Sequence, residues 1–323
     1  MDVNGDGRID IVSGSYSHTE PGIDMAGYFQ VLLGEPGGKW SAAQVLRGND
    51  GEPLLLPSTK ADQADPNADV ARICTRAFVA DLDDDGNLDL VSGNSGGAFC
   101  WFRGEDAGGF APEAEWLQAG GAPMKVDHHS DPCLVDWDGD GDLDLLSGSM
   151  RGGASLFANV GSKAQPEFAA LQTLVEPHAL HATVMSGTGD AAQETPESIL
   201  ARFRFGDADL AGPSACTRVW ADDIDGDGIL DLLIGDIVTL QFTLDGRSDA
   251  ETRQALVVWE KKLEEISRRM QPGANGRLDA AVEEEWRKHD QAKAALVREE
   301  QTGFVWFFKG KAKGAGAKRT ASN

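Results

Sequence analysis

One thirteen-residue pattern occurs four times in this chain with its spacing unchanged: Asp2-Val-Asn-Gly-Asp-Gly-Arg-Ile-Asp-Ile-Val-Ser-Gly14, Asp81-Leu-Asp-Asp-Asp-Gly-Asn-Leu-Asp-Leu-Val-Ser-Gly93, Asp136-Trp-Asp-Gly-Asp-Gly-Asp-Leu-Asp-Leu-Leu-Ser-Gly148 and Asp223-Ile-Asp-Gly-Asp-Gly-Ile-Leu-Asp-Leu-Leu-Ile-Gly235. Carboxylate or amide oxygens at positions 1, 3, 5 and 9, with glycine at 6, let a short backbone wrap one hard cation. Calcium suits the set, taking six to eight oxygens at about 2.3 to 2.6 Å in flexible geometry, whereas magnesium keeps its waters and a strict octahedron. The expected side-chain ligands are Asp2, Asn4, Asp6 and Asp10 in loop 1; Asp81, Asp83, Asp85 and Asp89 in loop 2; Asp136, Asp138, Asp140 and Asp144 in loop 3; and Asp223, Asp225, Asp227 and Asp231 in loop 4. The backbone carbonyls of Arg8, Asn87, Asp142 and Ile229, at position 7, are the natural fifth oxygens. Up to four calcium ions follow. A bare Asp/Gly turn is the competing reading, but four clustered carboxylates repel one another without a cation.

An EF-hand shares the first half of the pattern but needs a bidentate Glu at position 12 and flanking helices. Position 12 here is Ser13, Ser92, Ser147 and Ile234. A short apolar run stopped by Gly follows position 9, which predicts a buried strand.

The strands extend into a longer repeat. An apolar stretch precedes the loop at 77–80, 133–135 and 219–221, twice introduced by the same tripeptide, Cys74-Thr75-Arg76 and Cys216-Thr217-Arg218. An aromatic-rich strand follows the loop at 27–33, 97–102, 153–157 and 303–308. A fourth element pairs Trp40 with Leu46, Phe110 with Trp116 and Phe168 with Leu174. Each unit is four short antiparallel strands, and four-stranded units repeated along a chain cover their faces by radial stacking, as blades of a β-propeller.

The loops and Gly-ended strands resemble the FG-GAP repeats of integrin α-subunit propellers and the VCBS repeats of secreted bacterial proteins. The resemblance covers about residues 1 to 248 and 303 to 309. It implies that each loop joins the first two strands of a blade and holds calcium, and it names neither a ligand nor an activity. The expected fold is an all-β propeller of four recognisable four-stranded blades with an inserted α-helical hairpin. Blades 1 to 3 and the first half of blade 4 fall in 1–247, the hairpin in 248–300, a closing strand of blade 4 in 301–309, and a disordered basic tail in 310–323. Blade 1 has no first strand and blade 4 no fourth, so the chain reads as a piece of a longer protein, which also accounts for the missing secretion signal.

The hairpin is read from Ser248 and Glu251 as a capping box, followed by Leu256, Trp259, Leu263, Ile266 and Met270 at helical spacing. Pro272-Gly273 stops that helix, and Leu278, Val282, Trp286 and Leu296 mark one face of a second. The two helices either close on each other and lie against the propeller edge or serve as a docking arm for a partner or a second copy through 248–300.

The net charge of −24, from 53 acidic against 29 basic residues, argues against nucleic acid or an anionic membrane as the main partner. No apolar run is long enough to span a bilayer. Cys74, Cys100, Cys133 and Cys216 are compatible with two disulfides but form no dense framework. Loops of this acidity in extracellular modules bind calcium on the order of 10⁻⁴ to 10⁻³ M, so an extracellular or periplasmic location is expected.

Other candidates are weaker. Ser95 in Gly93-Asn-Ser-Gly-Gly97 has the setting of a nucleophile in miniature, but it occupies the repeat's turn. The pairs His128-His129 and His178/His181 lie between blades, where solvated histidines are usual. Residues 186–198 read as an exposed loop. Trp101, Trp137, Trp220 and Trp306 are expected in the core, with Trp40 and Trp116 on the outer strand. The leading function is a non-enzymatic binding or scaffold module with structural calcium and a protein or glycan ligand on a propeller face. A calcium-dependent polysaccharide lyase is the alternative, and assembly through the hairpin the second.

Overall fold

The computed structural model describes residues 2–16, 27–57, 72–105, 108–178, 195–206, 209–270 and 278–311. The chain divides into two compact units: 1–177 with 216–236 and 305–323, and 178–215 with 237–304.

The first unit is β and carries four blades in a propeller arrangement. Blade 1 has β1 (Ile11–Gly14), β2 (Phe29–Leu32) and β5 (Gln44–Val45), with a side hairpin of β3 (Gly34–Glu35) and β4 (Lys39–Trp40). Blade 2 is β6 (Arg76–Ala80), β7 (Asp89–Gly93), β8 (Phe99–Phe102) and β9 (Glu115–Trp116), followed by the ribbon β10 (Gln118–Ala119) and β11 (Ala122–Pro123). Blade 3 is β12 (Asp131–Val135), β13 (Asp144–Gly148), β14 (Ala154–Phe157) and β15 (Gln172–Val175). Blade 4 is β16 (Ala215–Asp222), the first half of β17 (Asp231–Thr243) and β19 (Val305–Phe308). Pairing within blades 1 to 3 and between β17 and β19 is antiparallel, and the registers repeat: Leu90↔Phe102, Leu145↔Phe157 and Leu232↔Phe308 occupy one position in successive blades.

That register explains the core. Phe78, Val91, Phe99 and Trp101 of blade 2 face blade 3, which answers with Leu134, Leu145 and Phe157. At the equivalent positions of blade 3, Cys133, Leu146, Ala154 and Leu156 face blade 4, which answers with Val219, Ala221, Leu232 and Ile234. Central strands β7 and β13 are buried along their whole length because both faces are covered.

A hydroxyl joins each pair of neighbouring blades. Thr75 Oγ1 accepts from Ser15 N at 2.6 Å and donates to the Tyr28 carbonyl at 3.0 Å. Ser130 Oγ accepts from Asn94 N at 2.8 Å and donates to the Ala98 carbonyl at 2.7 Å. Thr217 Oγ1 accepts from Ser149 N at 2.9 Å and donates to the Gly153 carbonyl at 2.8 Å. The approach needs glycine at loop position 13: a Cβ on Gly14, Gly93 or Gly148 would stand 1.8, 2.1 or 2.2 Å from the carbonyl oxygen of Thr75, Ser130 or Thr217. The residue before each hydroxyl, Cys74, His129 or Cys216, takes a left-handed φ of 59°, 49° or 49°, a conformation uncommon outside glycine.

The second unit pairs β17 from Val238 onward with β18 (Val297–Thr302) and holds α1 (Pro196–Leu200), α2 (Asp249–Arg269) and α3 (Ala280–Gln291), followed by a 3-10 turn at Ala292–Ala295. Its core is Ile199, Phe203, Leu256, Val257, Trp259 and Val297. The capping box of Ser248 and Glu251 opens α2. Trp259 stacks on His289 with centroids 5.5 Å apart, and its indole donates to the His289 carbonyl at 2.9 Å. Arg202, nearly buried, donates to Glu260 at 2.9 Å and to Glu264 at 2.8 Å.

Several expectations change. Of residues 186–198, read as an exposed loop, 196–198 belong to α1, capped by Thr195, and 186–194 lie outside the described residues. The second helix ends before Leu296, and 297–302 is a strand whose run of charged residues hid it. Trp220 is 52% exposed instead of buried, while Trp101 is core; Trp137 and Trp306 pack at the margin of the blade 3/4 core. Ser95 lies in the turn closed by Gly97 N on the Asn94 carbonyl at 3.2 Å. The four cysteines are free thiols. His181, Pro272-Gly273 and the tail from residue 312 lie outside the described residues. No described helix is long and apolar enough to cross a membrane.

Candidate metal centre

Each loop folds around its first aspartate. In loop 2, Asp81 Oδ1 accepts from Asp85 N at 3.1 Å and Oδ2 from Gly86 N at 3.0 Å, while Asp85 Oδ1 accepts from Asn87 N at 2.8 Å. Loop 4 repeats this with Asp223, Asp227, Gly228 and Ile229 at 2.8 to 3.0 Å, and loop 1 with Asp2, Asp6, Gly7 and Arg8 at 2.6 to 3.1 Å. Loop 3 differs: Asp136 accepts from Gly139 N at 2.8 Å, and Asp140 from Asp142 N at 3.3 Å. Backbone donors thus aim the side chains inward before any ion is considered.

The last aspartate, at position 9, does something the sequence did not reveal. Asp10, Asp89, Asp144 and Asp231 are buried. One oxygen of each accepts the amide of loop position 2, from Val3, Leu82, Trp137 or Ile224, at 2.8 to 3.1 Å. The other accepts the amide of a residue just past the third strand, from Gly34, Gly104, Asn159 or Gly310, at 2.7 to 2.8 Å. One carboxylate therefore ties loop, second strand and third strand together. Burial raises the Asp89 and Asp144 pKa values, and these amides oppose the rise. The only trace in sequence is a glycine after the third strand in three of four blades.

Carboxylate oxygens converge within 4.8 Å of one another in three loops: Asp81, Asp83 and Asp85; Asp136, Asp138 and Asp144; Asp223, Asp225 and Asp231. Loop 1 brings together no such trio among its described carboxylates, since Asn4 stands at position 3. Asp83 Oδ1 is buried with no hydrogen-bond donor, an orphaned acceptor of the kind a cation satisfies. Burial comes first and Asp85 second in raising the Asp83 pKa. In loop 3 the Asp142 side chain joins the acidic group beside its backbone carbonyl. Burial, then Asp140, pushes its pKa up to about 6. The all-oxygen donor set, the convergence and the orphaned oxygen fit calcium.

Basic side chains also reach these carboxylates. Arg103 lies 2.5 Å from Asp83, Arg8 contacts Asp6, and Lys309 contacts Asp225 and lies 3.1 Å from Asp227. Arg103 and Lys309 occupy one position in blades 2 and 4, the residue just before the glycine that binds the position 9 aspartate. Lys309 is the first cause of the lowered Asp225 pKa.

A second polar group forms where three first strands converge. Asp131 of blade 3 lies 3.8 Å from Arg76 of blade 2 and 3.6 Å from Arg218 of blade 4, all at one register. Burial raises the Asp131 pKa against both guanidiniums, and burial, then Arg76 and Arg218, lowers that of His129. Two residues further along, Phe78 and Trp220 lie 6.4 Å apart by centroid.

Residues 81–147 match the family model of the FG-GAP-like repeat. The match runs from the first aspartate of loop 2 to position 12 of loop 3. No curated protein matches the chain.

Proposed function

We propose that this chain is a binding or scaffold module whose blades are stabilised by calcium and which performs no catalysis of its own. The observation that carries the reading is the convergence of three carboxylates in each of loops 2, 3 and 4, with a buried, donorless oxygen on Asp83. Bound calcium would supply charge neutralisation and a multi-oxygen anchor. The chain's own contribution is the amide frame that aims Asp81, Asp83 and Asp85, with their counterparts, at one point, and the Asn87, Asp142 and Ile229 carbonyls that face the same loops by sequence position. A protein or glycan ligand carrying an anionic group would meet the propeller where Arg76 and Arg218 share the single carboxylate of Asp131, in a chain otherwise strongly acidic. Weak acidic loops of this type need the millimolar calcium found outside the cytosol, which supports an extracellular or periplasmic setting.

Thermal unfolding in millimolar calcium and in excess chelator tests the metal. The midpoint is expected to rise with calcium in a concentration-dependent way. An unchanged midpoint, together with a flat calorimetric titration, would remove calcium from the account.

A further inference from the structure

The four loops are not equal in charge. In loops 1, 2 and 4 a basic side chain already leans on the carboxylates: Arg8, at position 7, contacts Asp6, Arg103 lies 2.5 Å from Asp83, and Lys309 lies 3.1 Å from Asp227. Two places supply these cations, loop position 7 and the residue just before the amide that binds the position 9 aspartate. In blade 3 the same two places hold Asp142 and Ala158. Loop 3 thus lacks a cation at both and gains a carboxylate at one.

Asp142 is only 8% exposed, and its Oδ1 is buried with no hydrogen-bond donor. The charges it faces are those of Asp140 first, then Asp144 and Asp138. Loop 2 also has a fifth aspartate, Asp84, but that residue is exposed. Lys163 rests over the Gly141 backbone, its Nζ 3.4 Å from the place a Cβ would take, and does not reach the Asp142 Oδ1. A buried anionic oxygen without a donor, set among like charges, is what a divalent cation relieves. Calcium affinity in such loops is tuned by the number of charged ligands.

Given the calcium reading above, on which this rests, we propose that loop 3 takes calcium first and most tightly, with the Asp142 side chain as an added ligand. Loops 2 and 4 fill later, because Arg103 must let go of Asp83, and Lys309 of Asp225 and Asp227. The chain then responds to calcium in two stages: blade 3 keeps its ion when calcium is low, and blades 2 and 4 gain theirs as it rises.

Calorimetric titration of the chelator-treated full chain with calcium tests this. A one-ion event is expected ahead of weaker ones. Asp142→Asn, which keeps the side chain's shape and relieves crowded charge, is expected to weaken that event by about tenfold or more. Asp84→Asn, at the exposed acid of loop 2, should leave it within about twofold. Terbium excited through the indole of Trp137, at position 2 of loop 3, identifies the loop independently: emission is expected to saturate near the first equivalent and to be mostly lost in Trp137→Phe. Several equal sites, a first event indifferent to Asp142→Asn, or first-equivalent emission indifferent to Trp137→Phe would each overturn the proposal while leaving structural calcium in place. A wild-type isotherm with no calcium heat and an unchanged melting midpoint would remove both.

Discussion

At the scale of single residues, the position 9 aspartates carry two roles, and only one was legible. Their spacing from the first aspartate marked them as ligands. Their amide partners were not readable, because Gly104 stands fifteen residues from Asp89 and becomes its neighbour only through the hairpin. Asp89→Asn would set an amide nitrogen against a backbone donor in a buried site, at about 1–3 kcal/mol. Urea unfolding in excess chelator checks this, since the loss should persist without metal. The basic residues at the loops were equally invisible as partners, although Lys309 was readable as the last residue of the closing strand. Its ammonium occupies carboxylates that calcium would use, so Lys309→Met is expected to raise the calcium affinity of one binding event severalfold by titration calorimetry. An unaltered isotherm would show that the ammonium yields without competing.

At the scale of elements, the strands and loops were readable because their period is strict, and three further pieces were not. Cys-Thr-Arg was visible twice, but its meaning lies in the neighbouring blade, and blade 3 writes the same joint as His129-Ser130-Asp131. Helix α1 is five residues long and sits in a stretch of turn-forming composition. Strand β18 reads Val-Arg-Glu-Glu-Gln-Thr, whose charges suit an exposed ladder and give no apolar alternation. The joint itself is testable by paired glycine substitutions. Gly93→Ala forces a methyl to 2.1 Å from the Ser130 carbonyl oxygen and is expected to cost about 1–3 kcal/mol. Gly235→Ala meets nothing and should stay within about 0.5 kcal/mol. Equal effects in denaturant titrations would mean that the close approach is not what selects glycine. Ser130→Ala, which leaves the Asn94 amide without its acceptor, is expected to cost about 1–3 kcal/mol in the same assay.

At the scale of the whole molecule, composition excluded partners better than it divided the chain. The capping box announced α2, yet nothing between 195 and 206 announced that this segment packs with it, because Ile199 and Phe203 look like any two apolar residues in a loop. The nearly buried Arg202 with Glu260 and Glu264 is the polar centre of that second unit. Arg202→Met removes the guanidinium paired with the buried Glu260 and is expected to cost about 3–5 kcal/mol, read as loss of helical circular dichroism at lower urea. In the first unit the hydroxyl joints have a different outcome. Each of blades 1 to 3 is latched by a side chain of the next blade, so blades 2 and 3 are held from two sides and blades 1 and 4 from one. Deuterium should therefore enter the amides of β1, β2 and β19 first and those of β7 and β13 last, a gradient of fraying that runs along the chain's arc instead of from surface to centre.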